Sequence, residues 1–427
     1  MSQSPELAGG AGFTFEDAVG AVYLAALLEE GHAPGSGNRV VVRVALQQRD
    51  SGEPLDDLIV DCRSIAGELA RLSLQVKRRL VISNAHSNAD FYAVVRDCWL
   101  TLQKPDVRIG IDRFGAAVGE VASDKARGLR FITELAAAST TATEFHNRFV
   151  GNGSASEAHR SIKADVEALI ERAKGSPPTP EEAWRFFAHF VFVEFDFLHS
   201  GGTSEPGAVN ALRGCLDPQH HDQAASAWAE VRLLVREGAG KSEIFDRPKL
   251  VRKLSTVVRL AGSTRLKRDL GTISNLTRLW LADIDDDVGG VRIDRASVAS
   301  HLDRARQNSR VVRISGLPGS GKSVLLRTCV EAELTAGPVL FIKSGRLEGT
   351  GWTNFATANG LSGAPLAELL VEIAAVGSQT LFIDGVDRIE KQHRPIVVDL
   401  VRTVLFNPLL DNWRIVMSLR DSGIEPL

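Results

Sequence analysis

The sequence predicts a multidomain α/β protein, and three observations predict it. At 427 residues the chain exceeds what one hydrophobic core ordinarily organises. Beyond residue 310 short apolar runs alternate with helical periodicity, the pattern of a parallel sheet with helices on both faces. Before residue 120 the order is helix, several strands, helix, strand, which describes an α/β sandwich. Apolar residues at 44% and charged residues at 24% give a globular balance. The net charge of -3 supplies no global drive towards nucleic acid, so any polyanion-binding surface has to be a local patch.

Taken in order, Phe15 to Leu28 reads as a helix with an apolar stripe at Val19, Val22, Tyr23 and Leu27. Residues 39–47, Leu58 to Asp61 and Leu72 to Lys77 read as strands, Phe91 to Leu102 as a helix, and Val107 to Gly119 as further strand. Helical periodicity dominates from about Asp124 to Leu281, with cap chemistry at Asn152-Gly153-Ser154 and at Thr179-Pro180-Glu181-Glu182. Phe186 to Leu198 is the longest apolar run. It is too short and too often charged to span a membrane, and reads as a buried helix or strand. Three parts are expected: an α/β domain over 10–123, a helical region over 124–288, and a parallel α/β domain over 289–427. The N-terminus lacks a secretory signal, and Cys62, Cys98, Cys215 and Cys329 are scattered, so a reduced cytoplasmic location is expected and no zinc site.

The C-terminal part carries Gly316-Leu317-Pro318-Gly319-Ser320-Gly321-Lys322-Ser323 between a predicted strand, Val311 to Ile314, and a predicted helix, Ser323 to Glu333. Triphosphates bind where successive backbone N–H groups converge at a helix N-terminus, and Gly316, Gly319 and Gly321 allow that close approach. Lys322 would reach the β- and γ-phosphates of ATP, and Ser323 would complete the Mg²⁺ shell. A strand from Thr380 to Ile383 then delivers Asp384 to the same sheet edge as a second Mg²⁺ ligand, with Asp387 to polarise water or support the metal. A last strand, Arg414 to Ser418, ends in Arg420, placed to meet a γ-phosphate. Together these three signatures resemble the STAND class of signal-transduction NTPases over about residues 290–421, with Val386 where that class often has Leu. The resemblance implies a helical lid, a winged helix and a repeat sensor beyond Leu427, so the chain is expected to be a fragment.

The N-terminal part offers a different chemistry. Strand alternation puts Gln75 and Lys77 on one face and Leu74 and Val76 on the other. A hairpin with Leu58-Ile59-Val60 would bring Asp57 to them: an acid and an amide oxygen for Mg²⁺, and an amine for the charged transition state of phosphodiester hydrolysis. Glu16, on the first helix, could add a carboxylate. Asp56 competes with Asp57 for the role, and Asp61 is the third choice. A surface strand with solvated polar residues would give the same pattern. In context, Gly12 to Leu24, Leu55 to Val60 and Gln75-Val76-Lys77 resemble the PD-(D/E)XK nuclease domain of bacterial antiphage effectors, where Gln often stands for the motif glutamate.

The two resemblances imply a restriction-endonuclease-like α/β domain, a helical region and a STAND-type P-loop domain, the arrangement of antiviral Avs-type STAND proteins. The implied activity is Mg²⁺-dependent cleavage of double-stranded DNA, switched by ATP through homo-oligomerisation. A phage-derived trigger would be recognised by a region beyond this chain. The competing expectation is a regulatory ATPase whose N-terminal domain binds DNA or a protein without cutting.

Overall fold

The computed structural model describes residues 10–151, 153–288, 291–292 and 296–420. The chain forms two compact units. The first takes it through Gly214 together with His221–Leu250, and the second takes Cys215–His220 and everything from Val251 onward. The stretch 124–288 is thus shared between them.

The first half runs α1 (Gly10–Glu29), β1 (Val40–Leu46), β2 (Leu58–Arg63), β3 (Leu69–Arg79), α2 (Ala89–Leu102), β4 (Arg113–Glu120), α3 (Ser123–Ala138), α4 (Ala142–Asn147), α5 (Glu157–Lys174), α6 (Pro180–His189), β5 (Phe190–Glu194), α7 (Ser204–Cys215), α8 (Ala224–Ala239) and β6 (Ile244–Asp246). The strands form one six-stranded sheet in the order β5-β4-β3-β2-β1-β6. The β-branched run Val40-Val41-Val42 starts β1, and β2 returns antiparallel to it. Central β3 is antiparallel to β2 and parallel to β4. Phe91, Phe114, Phe186 and Phe187 are fully buried in the core joining β4 to α2 and α6. Facing Leu58 with Leu74 brings Asp57 opposite Gln75, which is how the sheet builds a site.

Several expectations change here. Helix α1 is buried nearly all round, with Ala18, Ala21, Leu24 and Ala25 buried alongside Val19, Tyr23 and Leu27, and Val22 only half-buried. It packs against both the sheet and α8, so no single stripe suffices. The run from Phe186 is helix and then strand, changing at His189–Phe190. Strand β4 starts only at Arg113, because Asp112 ties the preceding turn by accepting from the Arg108 and Arg71 N–H groups. The cap of α5 is Ser156, with His159 completing a capping box, while Asn152 lies outside the described residues. The Thr179/Glu182 box at α6 forms as the sequence suggests.

The second half runs α9 (Arg247–Leu254), α10 (Lys267–Ala282), a hairpin β7 (Asp287–Val288) and β8 (Val291–Arg292), α11 (Ala296–Asn308), β9 (Val311–Gly316), α12 (Lys322–Leu334), β10 (Leu340–Lys343), α13 (Trp352–Ala358), α14 (Leu366–Val376), β11 (Thr380–Asp384), α15 (Arg394–Phe406) and β12 (Arg414–Arg420). Its four-stranded sheet has the order β10-β11-β12-β9 and is parallel throughout. Strand β12 therefore sits between β9 and β11, and the C-terminal ends of all three meet at one edge. The protein is mixed α/β. No helix among the described residues is long and apolar enough to cross a membrane.

Candidate functional site

At the β2–β3 hairpin the Asp57 carboxylate accepts the Val76 N–H on Oδ2 at 2.8 Å, and the Gln75 side-chain amide donates to the same oxygen. Gln75 is buried, and its Oε1 has no hydrogen-bond partner. Lys77 is half-buried two residues on, and its charge acts on Asp57. Burial pushes the Asp57 carboxyl up from 3.8 to about 6, against the Val76 hydrogen bond and Lys77, which pull it down. The structure thus brings together the three residues that alternation and the hairpin predict.

The neighbouring acids differ in their partners. Asp56 is engaged by Arg49 at 3.1 Å. Asp61 lies between Arg43 (2.6 Å) and Arg71 (3.1 Å), paired in register with Arg71 and away from Gln75. Only Asp57 faces the amide. Glu16 is half-buried on α1, next to Phe15, whose ring closes on Gly119. Because Val118 pairs with Lys77, that contact puts Glu16 at the Lys77 end of the sheet.

A hard divalent cation prefers oxygen donors. The buried, unbonded Gln75 Oε1 beside the Asp57 carboxylate suits such an ion. Among the described residues no cluster of three or more His, Cys, Asp or Glu could hold a metal, so an ion here would rest on one carboxylate, an amide oxygen and water.

In the second unit Gly319 (φ 76°) and Gly321 (φ 77°) take left-handed conformations that a β-carbon would strain, and Gly321 opens α12. Pro318 and Ser320 are exposed on the same loop, and the Ser320 N–H donates to Leu317 O. Lys322 Nζ donates to the carbonyls of Gly316 and Leu317, both at 2.8 Å. The Ser323 hydroxyl donates to Asp384 Oδ1 at 2.8 Å, and Ser418 donates to the same oxygen at 2.6 Å. Ser418 also accepts the Gly385 N–H at 2.8 Å. Asp387 does not join this cluster. It accepts the Arg420 N–H at 3.1 Å and lies 3.5 Å from the Arg420 guanidinium. Lys322, Ser323, Asp387 and Arg420 line one cleft of about 360 Å³, together with Ile284 to Asp287. The loop, the lysine and the Ser323–Asp384 pair suit a Mg²⁺–triphosphate.

Sequence reasoning gave no role to three residues that touch these side chains. Ser418 lay inside a recognised strand end, but its link to Asp384 depends on β12 being inserted between β9 and β11. Arg388, 3.5 Å from Asp384, sits in the turn directly after β11. Arg49 precedes Asp57 by eight residues in a loop with no motif.

No family model matches the chain, and no curated protein matches it. Among solved structures it is similar to a Cap4 SAVED/CARF-domain containing receptor of Acinetobacter baumannii bound to a cyclic trinucleotide. Identity is 12% over 90% of this chain and 62% of that one, with a TM-score of 0.34. The corresponding receptor of Moraxella osloensis is 14% identical over 88% of this chain and 64% of that one, with a TM-score of 0.33. The chain therefore spans a little under two thirds of either receptor. TM-scores this low carry no functional argument.

Proposed function

We propose that the chain is an ATP-regulated, Mg²⁺-dependent endonuclease of double-stranded DNA, the effector of an antiphage defence protein whose STAND-type domain switches oligomerisation. The observation that carries the reading is the meeting of Asp57, Gln75 and Lys77, with Gln75 Oε1 buried and unbonded. Asp57 and Gln75 would hold Mg²⁺, which when bound supplies an activated water at neutral pH. Lys77 places a positive charge beside the phosphate, where charge develops during hydrolysis. Above about pH 6 Asp57 is an anion and ready for the metal. In the second unit Lys322 and the loop glycines would bind the phosphates of ATP, while Ser323 and Asp384 would hold its Mg²⁺.

One observation favours a second reading, a regulatory ATPase that binds DNA without cutting. Asp56 is committed to Arg49 and Asp61 to Arg43 and Arg71, which leaves Asp57 as the one of these three acids outside an ion pair. Supercoiled plasmid incubated with the chain, Mg²⁺ and ATP separates the two. The nuclease reading expects cutting by the parent and a loss of about a hundredfold or more in Lys77→Ala. Equal cutting by both proteins would remove Lys77 from the chemistry, and binding without cutting by the parent would favour the second reading.

A further inference from the structure

The loop between β1 and β2 is held unusually firmly for a connection with no motif. Gln47 is a non-glycine residue at φ 43°, a conformation that costs energy and persists only where its surroundings enforce it. Its N–H donates to Asp57 O (3.2 Å), and its carbonyl accepts the Ser242 hydroxyl (2.7 Å). Gln48 is buried. Its N–H donates to Asp56 O (2.9 Å), and its side-chain amide donates to Leu46 O (2.7 Å) and Ser242 O (2.9 Å). At the far side Glu53 is fixed by Lys104 (2.6 Å) and Arg71 (3.4 Å).

From this loop Arg49 projects at the start of a single helical turn closed by Gly52. Its Nη2 lies 3.1 Å from Asp56 Oδ1, and the two side chains differ sharply in exposure, 72% for Arg49 and 9% for Asp56. Asp57 and the buried Asp97 of α2 also act on its charge. So exposed a guanidinium adds little to stability, because solvent screens it. The loop is already pinned by its backbone and by Gln48. What the pair does accomplish is to hold a planar cation, with most of its donors unused, against the residue directly before Asp57.

We propose that Arg49 is a phosphate-contacting residue of the Asp57 site, gripping a backbone phosphate of double-stranded DNA next to the one that faces Lys77, and that Asp56 is the positioning residue that aims it. The inference rests on the nuclease reading of that site. Arginine suits the task because its fork of N–H donors matches two phosphate oxygens at once. Lys77 and Arg49 then reach the substrate from different elements, β3 and the β1–β2 loop, on either side of the acid.

The test reads binding apart from cleavage. In the full chain carrying Lys77→Ala, affinity for a short fluorescent DNA duplex is measured over a series of KCl concentrations, with and without Arg49→Ala. Loss of one phosphate contact is expected to weaken binding severalfold and to lower the slope of log affinity against log salt by about 1. Arg49→Lys should keep the slope while losing part of the affinity. Asp56→Asn should weaken binding with the slope retained, since the cation remains but is no longer aimed. An unchanged slope in Arg49→Ala, whether or not its thermal midpoint falls, overturns the Arg49 contact. If Lys77→Ala alone still abolishes cleavage in that case, the nuclease reading survives. Absence of both duplex binding and parental cutting sinks the two together.

Discussion

The Asp57 carboxylate accepts the backbone N–H of Val76 at 2.8 Å, the one N–H that lies between Gln75 and Lys77 in the chain. The acid is thereby fixed to the strand that carries its two partners. Any motion of β3 moves all three together. A site anchored on paired strands holds its geometry better than one on free loops, and the antiparallel register of β2 with β3 supplies that anchoring.

Burial of Asp57 predicts a pH-dependent cost. Its carboxyl titrates at about 6 when folded against 3.8 for the ordinary group, so between those values the folded protein keeps a proton that the unfolded chain has released. The contribution to stability is full below the lower value and is lost as pH rises through the upper one, a change on the order of 3 kcal/mol. Asp57→Asn removes the buried charge and can still accept the Val76 N–H. With a chelator present at about pH 8, the variant should therefore melt above the parent, with the gap closing near pH 4. Parallel melting curves at both pH values would contradict the burial of this charge.

In the proposed nucleotide site Ser418 is expected to matter more for stability than its small size suggests. It donates to the buried Asp384 and accepts from Gly385, so Ser418→Ala strands the buried Gly385 N–H and leaves Asp384 Oδ1 with Ser323 alone. A loss of about 1–3 kcal/mol is expected in chemical denaturation of the second unit. Lys322→Ala is expected to leave the denaturation midpoint nearly unchanged, yet to weaken Mg²⁺–ATP binding about tenfold or more by titration. Reversal of that order would mean that the two residues have been assigned the wrong tasks.

The pairing of Arg420 with Asp387 yields a discrimination test. Arg420 ends β12 directly opposite Gly316, at the start of the Gly316–Ser323 loop. In the proposed ATP site a guanidinium there would meet the terminal phosphate of ATP and find none in ADP. Arg420→Ala should therefore lower ATP affinity by about 1–3 kcal/mol while changing ADP affinity little, as measured by calorimetry. Equal losses for both nucleotides would place Arg420 away from the terminal phosphate.

How much of this was legible in the sequence depended on punctuation. Strands β9, β10, β11 and β12 each hold a short apolar run and end in glycine or charge, and the Gly316–Ser323 loop follows β9, with glycines where its backbone turns left-handed. Strand β5 was hidden because nothing between His189 and Phe190 breaks the apolar run that starts in α6. The three residues of β6 are too few to give a periodic signal, and they are a strand only because Phe245 pairs with Val44. At the hairpin, alternation put Gln75 and Lys77 on one face. It could not say whether Asp56 or Asp57 joins them, since that turns on the β2–β3 register, in which Leu58 faces Leu74, and on Arg49, a residue seven positions before Asp56 that engages it.

The first unit's sheet can be tested at Gly115, where β4 pairs with β5. A β-carbon there would lie 1.8 Å from the Val191 carbonyl oxygen and 2.7 Å from its carbon. Both are backbone atoms of the paired strand, so neither can rotate away, and Gly115→Ala must push β5 off β4. Overpacking ordinarily costs about 1–3 kcal/mol, and a clash with fixed backbone belongs at or beyond the upper end. Gly37→Ala provides the contrast. Nothing lies within 4 Å of a β-carbon there, and its φ of 63° leaves only conformational strain, about 1 kcal/mol. Chemical denaturation of the two variants should separate them clearly. Hydrogen exchange should also show β5 losing protection first in Gly115→Ala, while β2 and β3, which hold Asp57 and Lys77, stay protected. Similar midpoints for the two variants would show that β5 does not pair with β4 in this register.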